Sequence, residues 1–152
     1  MRRDKTAVRG GGKAGLWVIA ALLGAMASAA AAPQTTLYQR LGGQPAIVAV
    51  VNDFVATIGA DKRINHFFAK ADPKRVKAKL VEQICAGTGG PCIYTGRDMK
   101  SVHKGMGIGE KDWNAMVQDL GKTLTKFKVP AKERKELIAV LAPTKPDIVE
   151  KK

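Results

Sequence analysis

The chain is poor in the residues that most often carry chemistry. Its 152 residues include two histidines, two cysteines and eight aromatic side chains. Two cysteines, Cys85 and Cys92, cannot build a disulfide-rich scaffold. They form no Cys-x-x-Cys-His run for covalent cofactor attachment, and with His103 they lack the usual spacing and the fourth ligand of a zinc site. A disulfide and a pair of free thiols both stay open, because sequence does not show whether the two Cα atoms come within about 7 Å. So few aromatics, with lysines spread over every helical segment, do not make a basic groove interleaved with stacking side chains. There are no paired carboxylates, no nucleophile beside a base and no nucleotide-binding loop. No stretch alternates with period two over a useful length, so no sheet is expected. No internal repeat is visible either.

What is present begins with a leader. Arg2, Arg3, Lys5, Arg9 and Lys13 make a basic start, Leu16 to Ala27 a short apolar run, and small residues end at Ala32 before Pro33. These are the marks of a secretory signal peptide. The run is shorter than the roughly 20 apolar residues of a membrane-spanning helix. Residues 1–32 are therefore read as an export leader to the periplasm or the exterior, with an uncleaved anchor as the alternative. Arg2-Arg3 is a weak sign of twin-arginine export, since no hydrophobic consensus follows at once. Residues 33–152 then have the size of one domain with one core. The leader holds five of the 26 basic residues and one of the 13 acidic ones, which leaves the domain at net +9. That charge could attract anionic polymers or a membrane surface, but its dispersal favours a solvated exterior.

The domain reads as helices. Leu37, Tyr38 and Leu41 fit a brief amphipathic turn stopped by Gly42-Gly43, and Pro45 opens the next helix at a first helical position. Ile47, Val51, Phe54 and Ile58 repeat at helical spacing up to Gly59, and Ile64, Phe67 and Phe68 follow in a short helical corner. Asp72-Pro73 is a cap followed by proline, starting a helix to about Cys85 with a stripe of Val76, Leu80 and Ile84. Glu110 to Phe127 is the clearest helix, striped by Trp113, Met116, Val117, Leu120, Leu124 and Phe127. Val129-Pro130 turns the chain into a last helix ending near Pro143.

Between these helices lies the stretch Gly89 to Ile108, with a glycine-rich loop, a one-turn helical candidate carrying His103, and the pair Gly105 and Gly107. A lone histidine on a helix is more often structural than a ligand. Here Met99 and Val102 put apolar surface beside it, and the glycines let a short segment approach a bulky object. Phe54, Phe68, Val76 and Leu80 could line a flat apolar cofactor, or simply be core.

The residues Leu37-Tyr38-x-x-Leu41-Gly42-Gly43, Asp53-Phe54 and Phe67-Phe68 form the first half of a wider pattern. Gly89-Gly90-Pro91-x-x-Tyr94-Thr95-Gly96-x-x-Met99, His103-x-Gly105-x-Gly107-Ile108, Val129-Pro130 and Ala142-Pro143 form the second. In these motifs the chain from about Leu37 to Val149 resembles the first group of the truncated haemoglobins. The resemblance implies an all-α, two-over-two helical sandwich around one non-covalent haem b that reversibly binds oxygen, nitric oxide or carbon monoxide. His103 matches the iron-ligating histidine, and Phe68 the phenylalanine packed on the haem face. Phe54, Met99, Val102, Met116 and Leu120 are implied as wall residues. Lys79 and Tyr94 match positions near the haem propionates; for Lys79 a solvated helix face is the competing reading. Nitric oxide dioxygenation or weak peroxidase chemistry stays open and would need an external electron donor. A haem-free basic module for anionic polymers or a membrane surface is the alternative.

The chain departs from the family on the ligand-facing side. Val55 and Leu80 stand where a tyrosine and a glutamine are common, with Val76 on the same stripe. Dioxygen is retained by hydrogen-bond donors, each worth about 0.5–1.5 kcal/mol, so its retention loses its usual support here. Gln83, a turn beyond Leu80, falls at the pocket edge. Lys79 could instead reach iron as a deprotonated amine, against a reference pKa of about 10.4. His66 falls off the iron axis.

Overall fold

The computed structural model describes residues 35–151. The leader read over residues 1–32 lies outside them. Seven α-helices are described: α1 (Leu37–Arg40), α2 (Gly43–Ala60), α3 (Pro73–Gly87), α4 (Met99–His103), α5 (Glu110–Lys126), α6 (Ala131–Leu141) and α7 (Lys145–Ile148). Single 3-10 turns at Asn65–Phe68 and Ala142–Thr144 join them. Among the described residues the only β-type pairing is an isolated bridge between Gly109 and Lys151.

The caps explain where these helices start. Thr36 Oγ1 accepts from the Gln39 amide while Gln39 Oε1 accepts from the Thr36 amide, a reciprocal box that starts α1. Asp72 accepts from the Lys74 amide at 2.9 Å and Pro73 takes the first position of α3. Asp98 accepts from the Ser101 amide at 2.8 Å and so starts the short helix that carries His103. Three boundaries differ from the sequence expectation. Pro45 is the third residue of α2, because the turn through Gly42 (φ +97°) and Gly43 (φ +72°) already launches the helix. Helix α3 continues two residues past Cys85, where the Thr88 hydroxyl donates back to the Ile84 carbonyl at 2.6 Å. Beyond Pro143 the chain forms α7, a single turn with too little apolar periodicity to be read.

The core sits where α2 packs on α3 and α5, with α6 closing one side. Ile47, Val51, Phe54 and Ile58 of α2 meet Ile84 of α3, Leu120 and Leu124 of α5, and Leu137 of α6. Helix α2 is long and apolar enough by composition to cross a membrane, but its apolar face is this core. Arg40 ties α1 to α6 through Glu133, at 3.1 Å, and Glu136.

Cys85 and Cys92 are joined in a disulfide, with Cα atoms 5.7 Å apart. This resolves the open alternatives: neither thiol is free, and neither can serve a zinc ion with His103. The bridge pins the chain leaving α3 against the helix end. Gly90 is needed beside it, since a Cβ there would fall 2.7 Å from Cys85 Sγ and 2.8 Å from the Cys85 carbonyl oxygen.

Candidate cofactor site

One large cavity, of about 690 Å³, opens beside the core. Its walls come from α2, the Phe67-Phe68 corner, α3, the 94–97 loop, α4 and α5. Phe54, Phe68, Val76, Lys79, Leu80, Tyr94, Met99, Val102, His103, Met116 and Leu120 all lie on this wall. Residues 49 positions apart, from Phe54 to His103, are thus brought to one space, which local sequence patterning cannot show.

Val55 is the exception. It borders a smaller neighbouring cavity of about 280 Å³, which shares Ile58, Phe68, Ala71 and Val76 with the large one. Successive helical residues point about 100° apart, and on this turn Phe54 is the buried one. Of the three apolar residues expected on the ligand-facing side, only Val76 and Leu80, one turn apart on α3, line the large cavity. His66 does not line the cavity; it is exposed and its ring lies 4.0 Å from that of Phe67.

His103 is the only imidazole on the wall, and its Nδ1 lies 2.8 Å from the Met99 carbonyl oxygen. A carbonyl can only accept, so Nδ1 carries a proton, and in the neutral imidazole Nε2 is then the nitrogen with the free lone pair. This contact is local, four residues back along α4, and it fixes both tautomer and ring direction.

The rim is polar. Lys79 Nζ donates to both carboxylate oxygens of Glu82 at 2.9 Å and to Thr95 Oγ1. Glu82 Oε2 also accepts from the Thr95 amide at 2.9 Å and the Thr95 hydroxyl at 2.8 Å. The Thr95 amide is the largest cause, followed by Lys79, of a Glu82 carboxyl held down at about 2 against an ordinary 4.5. Tyr94 donates its hydroxyl to the Arg97 carbonyl at 2.8 Å, and its ring lies so close over Gly96 that a Cβ there would meet Tyr94 Oη at 2.2 Å. The 94–97 loop is therefore latched to α3 by Glu82.

A group with a lowered folded pKa stabilises the fold above its unfolded value and loses that contribution as pH falls. The stability gap between parent and Glu82→Gln is therefore expected to be full above about pH 4.5 and to close as pH falls toward 2. Denaturant midpoints of both proteins at pH 6 and pH 3 check this. A gap unchanged between the two pH values would rule out the latch.

Sequence reading missed four contributors. Arg75 and Arg97 line the cavity as well as Lys79, and their alternation with ordinary surface cations hid them. Glu82 had a weak signal, being three residues after Lys79 on one helix face. Glu150 had none. Its carboxylate accepts from the Gly105 and Gly107 amides at 2.6 Å each, and those two bonds, Gly105 first, hold it below the usual carboxylate range.

An all-helical domain with a mostly apolar cavity, one directed imidazole on its wall and cations at its rim belongs to the class of helical cofactor-pocket proteins. Residues 36–150 match the bacterial-like globin family. A group 1 truncated hemoglobin of Mycolicibacterium paratuberculosis is 36% identical over 117 residues, covering 77% of this chain and 86% of that protein. One from Tetrahymena pyriformis is 32% identical over 119 residues, 78% of this chain and 98% of that one. The crystal structure of the truncated hemoglobin from Tetrahymena pyriformis in its Fe(III) form superposes with a TM-score of 0.73 at 30% identity, covering 76% of this chain and 98% of that chain. The chain belongs to the group 1 truncated haemoglobins of the bacterial-like globin family. The all-α truncated-globin fold expected from the sequence motifs is borne out.

Proposed function

We propose that this chain is an exported globin that holds one non-covalent haem b in the large cavity and binds a small diatomic gas reversibly, with His103 as the iron ligand. The observation that carries this reading is the His103 Nδ1 bond to the Met99 carbonyl on the cavity wall, at 2.8 Å. It leaves Nε2 as a neutral donor nitrogen, the form that a metal ion takes up. The cavity volume of about 690 Å³ lies within the roughly 300–1,000 Å³ of small-molecule and cofactor sites.

The residues present fit the group. Phe54, Phe68, Met116 and Leu120 offer apolar surface to a flat macrocycle, with Met99 and Val102 on the histidine's own helix. Lys79, Arg75 and Arg97 supply rim cations for its carboxylates. Lys79 is engaged with Glu82 and Thr95, which supports a rim role over coordination to iron. When bound, haem supplies a redox-active iron with a coordination position for a diatomic gas. The chain's part is to fix the imidazole, exclude water and offer or withhold donors. Val76 and Leu80 withhold them. The Gln83 amide, a lining donor nearby, lies 3.9 Å from Met99 Sδ. Nitric oxide dioxygenation or peroxidase-like turnover at this site would draw on an external electron donor. The basic leader and its short apolar run support export, and the Cys85–Cys92 disulfide suits an oxidising compartment.

Titrating the apo-protein with hemin tests the reading: a stoichiometric, shifted Soret band is expected, and an unshifted band would overturn it in favour of a haem-free basic module. The ligand-facing wall makes a second expectation. Leu80→Gln adds a donor where the parent has none, so dioxygen dissociation should slow by up to about 10-fold, the equivalent of one hydrogen bond, while carbon monoxide dissociation changes little. Stopped-flow rates for the two gases check this, and equal changes for both would mean the wall does not discriminate by polarity.

A further inference from the structure

Helix α4 has five residues, far too few to be stable alone. Asp98 fixes its start. After His103 the chain turns through Gly105 and Gly107, both in left-handed backbone at φ +77° and +67°, where glycine moves freely. A Cβ at Gly105 would touch nothing within 4 Å, so no side-chain packing restrains the turn at that residue, while at Gly107 the Lys151 side chain lies close. Glu150 holds both residues. One carboxylate oxygen accepts from the Gly105 amide and the other from the Gly107 amide, each at 2.6 Å.

We propose that Glu150 is a positioning residue for His103, clasping the two amides that follow its helix and so setting how the imidazole is presented to haem. The inference rests on the haem reading above. The clasp is itself anchored: the Glu150 and Lys151 amides both donate to the Ile108 carbonyl, at 2.8 and 3.1 Å, and the Glu110 amide donates to the Lys151 carbonyl at 3.3 Å. The chain end from α7 onward is thereby laid across the segment joining α4 to α5. Ile108 and Ile148, on either side of this strap, both line the cavity. Charge-assisted bonds from one carboxylate to two amides are short and directional. They therefore convert a glycine hinge into a fixed seat for the ligand two residues upstream. Glu150 is not on the cavity wall; it acts through the backbone, as outer-shell partners of metal ligands do.

The test uses the hemin-loaded protein with Glu150→Ala and Glu150→Gln. Gln keeps the shape and one carbonyl acceptor, so it holds one of the two amides and should behave as an intermediate. Three readouts are expected to move together: faster hydrogen exchange at the Gly105 and Gly107 amides, a shifted or broadened iron–histidine stretching band in the ferrous unliganded protein, and hemin transfer to an excess of acceptor globin about 10–100-fold faster in Glu150→Ala. Faster amide exchange with an unchanged band and unchanged hemin transfer would overturn the inference, leaving a clasp that braces only the loop. Unchanged exchange would also overturn it, since no clasp would then exist. A parent protein that binds hemin without an iron–histidine band would remove the His103 ligation itself, and this inference with it.

Discussion

His103→Ala is expected to weaken hemin binding by at least about 100-fold, beyond the 10–100-fold typical of losing only an outer-shell partner. The apolar walls remain in the variant, so hemin should still partition into the cavity, but without the His103 nitrogen to hold its iron. Its spectrum should therefore differ in shape as well as in titration midpoint. Free imidazole is small enough to enter the space left by the side chain and should restore the parental spectrum when added. Optical titration of both proteins, with and without imidazole, checks the result. An alanine variant with the parent's spectrum and affinity would show that iron is held elsewhere, and the two lysines on the cavity wall, Lys70 and Lys79, would be the next candidates. The effect is expected to be large because His103 is the only imidazole on that wall. No metal-binding cluster of three or more His, Cys, Asp or Glu side chains exists among the described residues.

Removing the Cys85–Cys92 bridge is expected to have the largest effect on stability. The bridge joins residues seven apart in sequence. Closing so short a loop restrains the unfolded chain by about 2.5 kcal/mol on the chain-entropy account, which for a domain of this size corresponds to a melting temperature lower by about 10 °C. Alanine is the suitable replacement, since Cys85 is fully buried and serine would leave a hydroxyl to satisfy there. The loss reaches the site as well. Chain from Cys92 leads directly to Tyr94, Thr95 and Arg97 on the cavity rim, so the double alanine variant should also release hemin faster. Reducing the parent protein should reproduce both effects. Melting curves that coincide with and without reductant, in protein shown by mass to hold the bond, would count against this.

These two expectations come from different sources. His103 stood out in the sequence because its segment combines glycines, apolar neighbours and a lone imidazole, within motifs that span almost the whole domain. The Cys85–Cys92 pairing did not, because seven residues that begin in a helix and continue through a glycine loop can bring two sulfurs together or hold them apart. The wall residues from Phe54 to Leu120, named partly from their apolar character and partly by resemblance, are all on the cavity. Val55 was also named and is not on its wall, since one residue of helical rotation decides whether a side chain enters the large cavity or its small neighbour. Lys79 was readable as a cation near the site, while its engagement with Glu82 and Thr95 was not.

The sequence by itself determined the helical class, most helix positions and the candidate ligand. Apolar periodicity, the Asp-Pro cap and glycine punctuation all act within a few residues, and His103 finds the Met99 carbonyl one turn away on its own helix. Only the tertiary structure decided whether the two cysteines pair, which face of α2 meets the cavity, and what holds the segment after His103. Glu150 reaches Gly105 and Gly107 across 45 and 43 residues, and a bond of that span exists only once α7 has packed against α4. Nothing in the local chemistry of a glutamate near the chain end distinguishes it from a solvated surface charge until the fold has brought two unpaired amides to meet it.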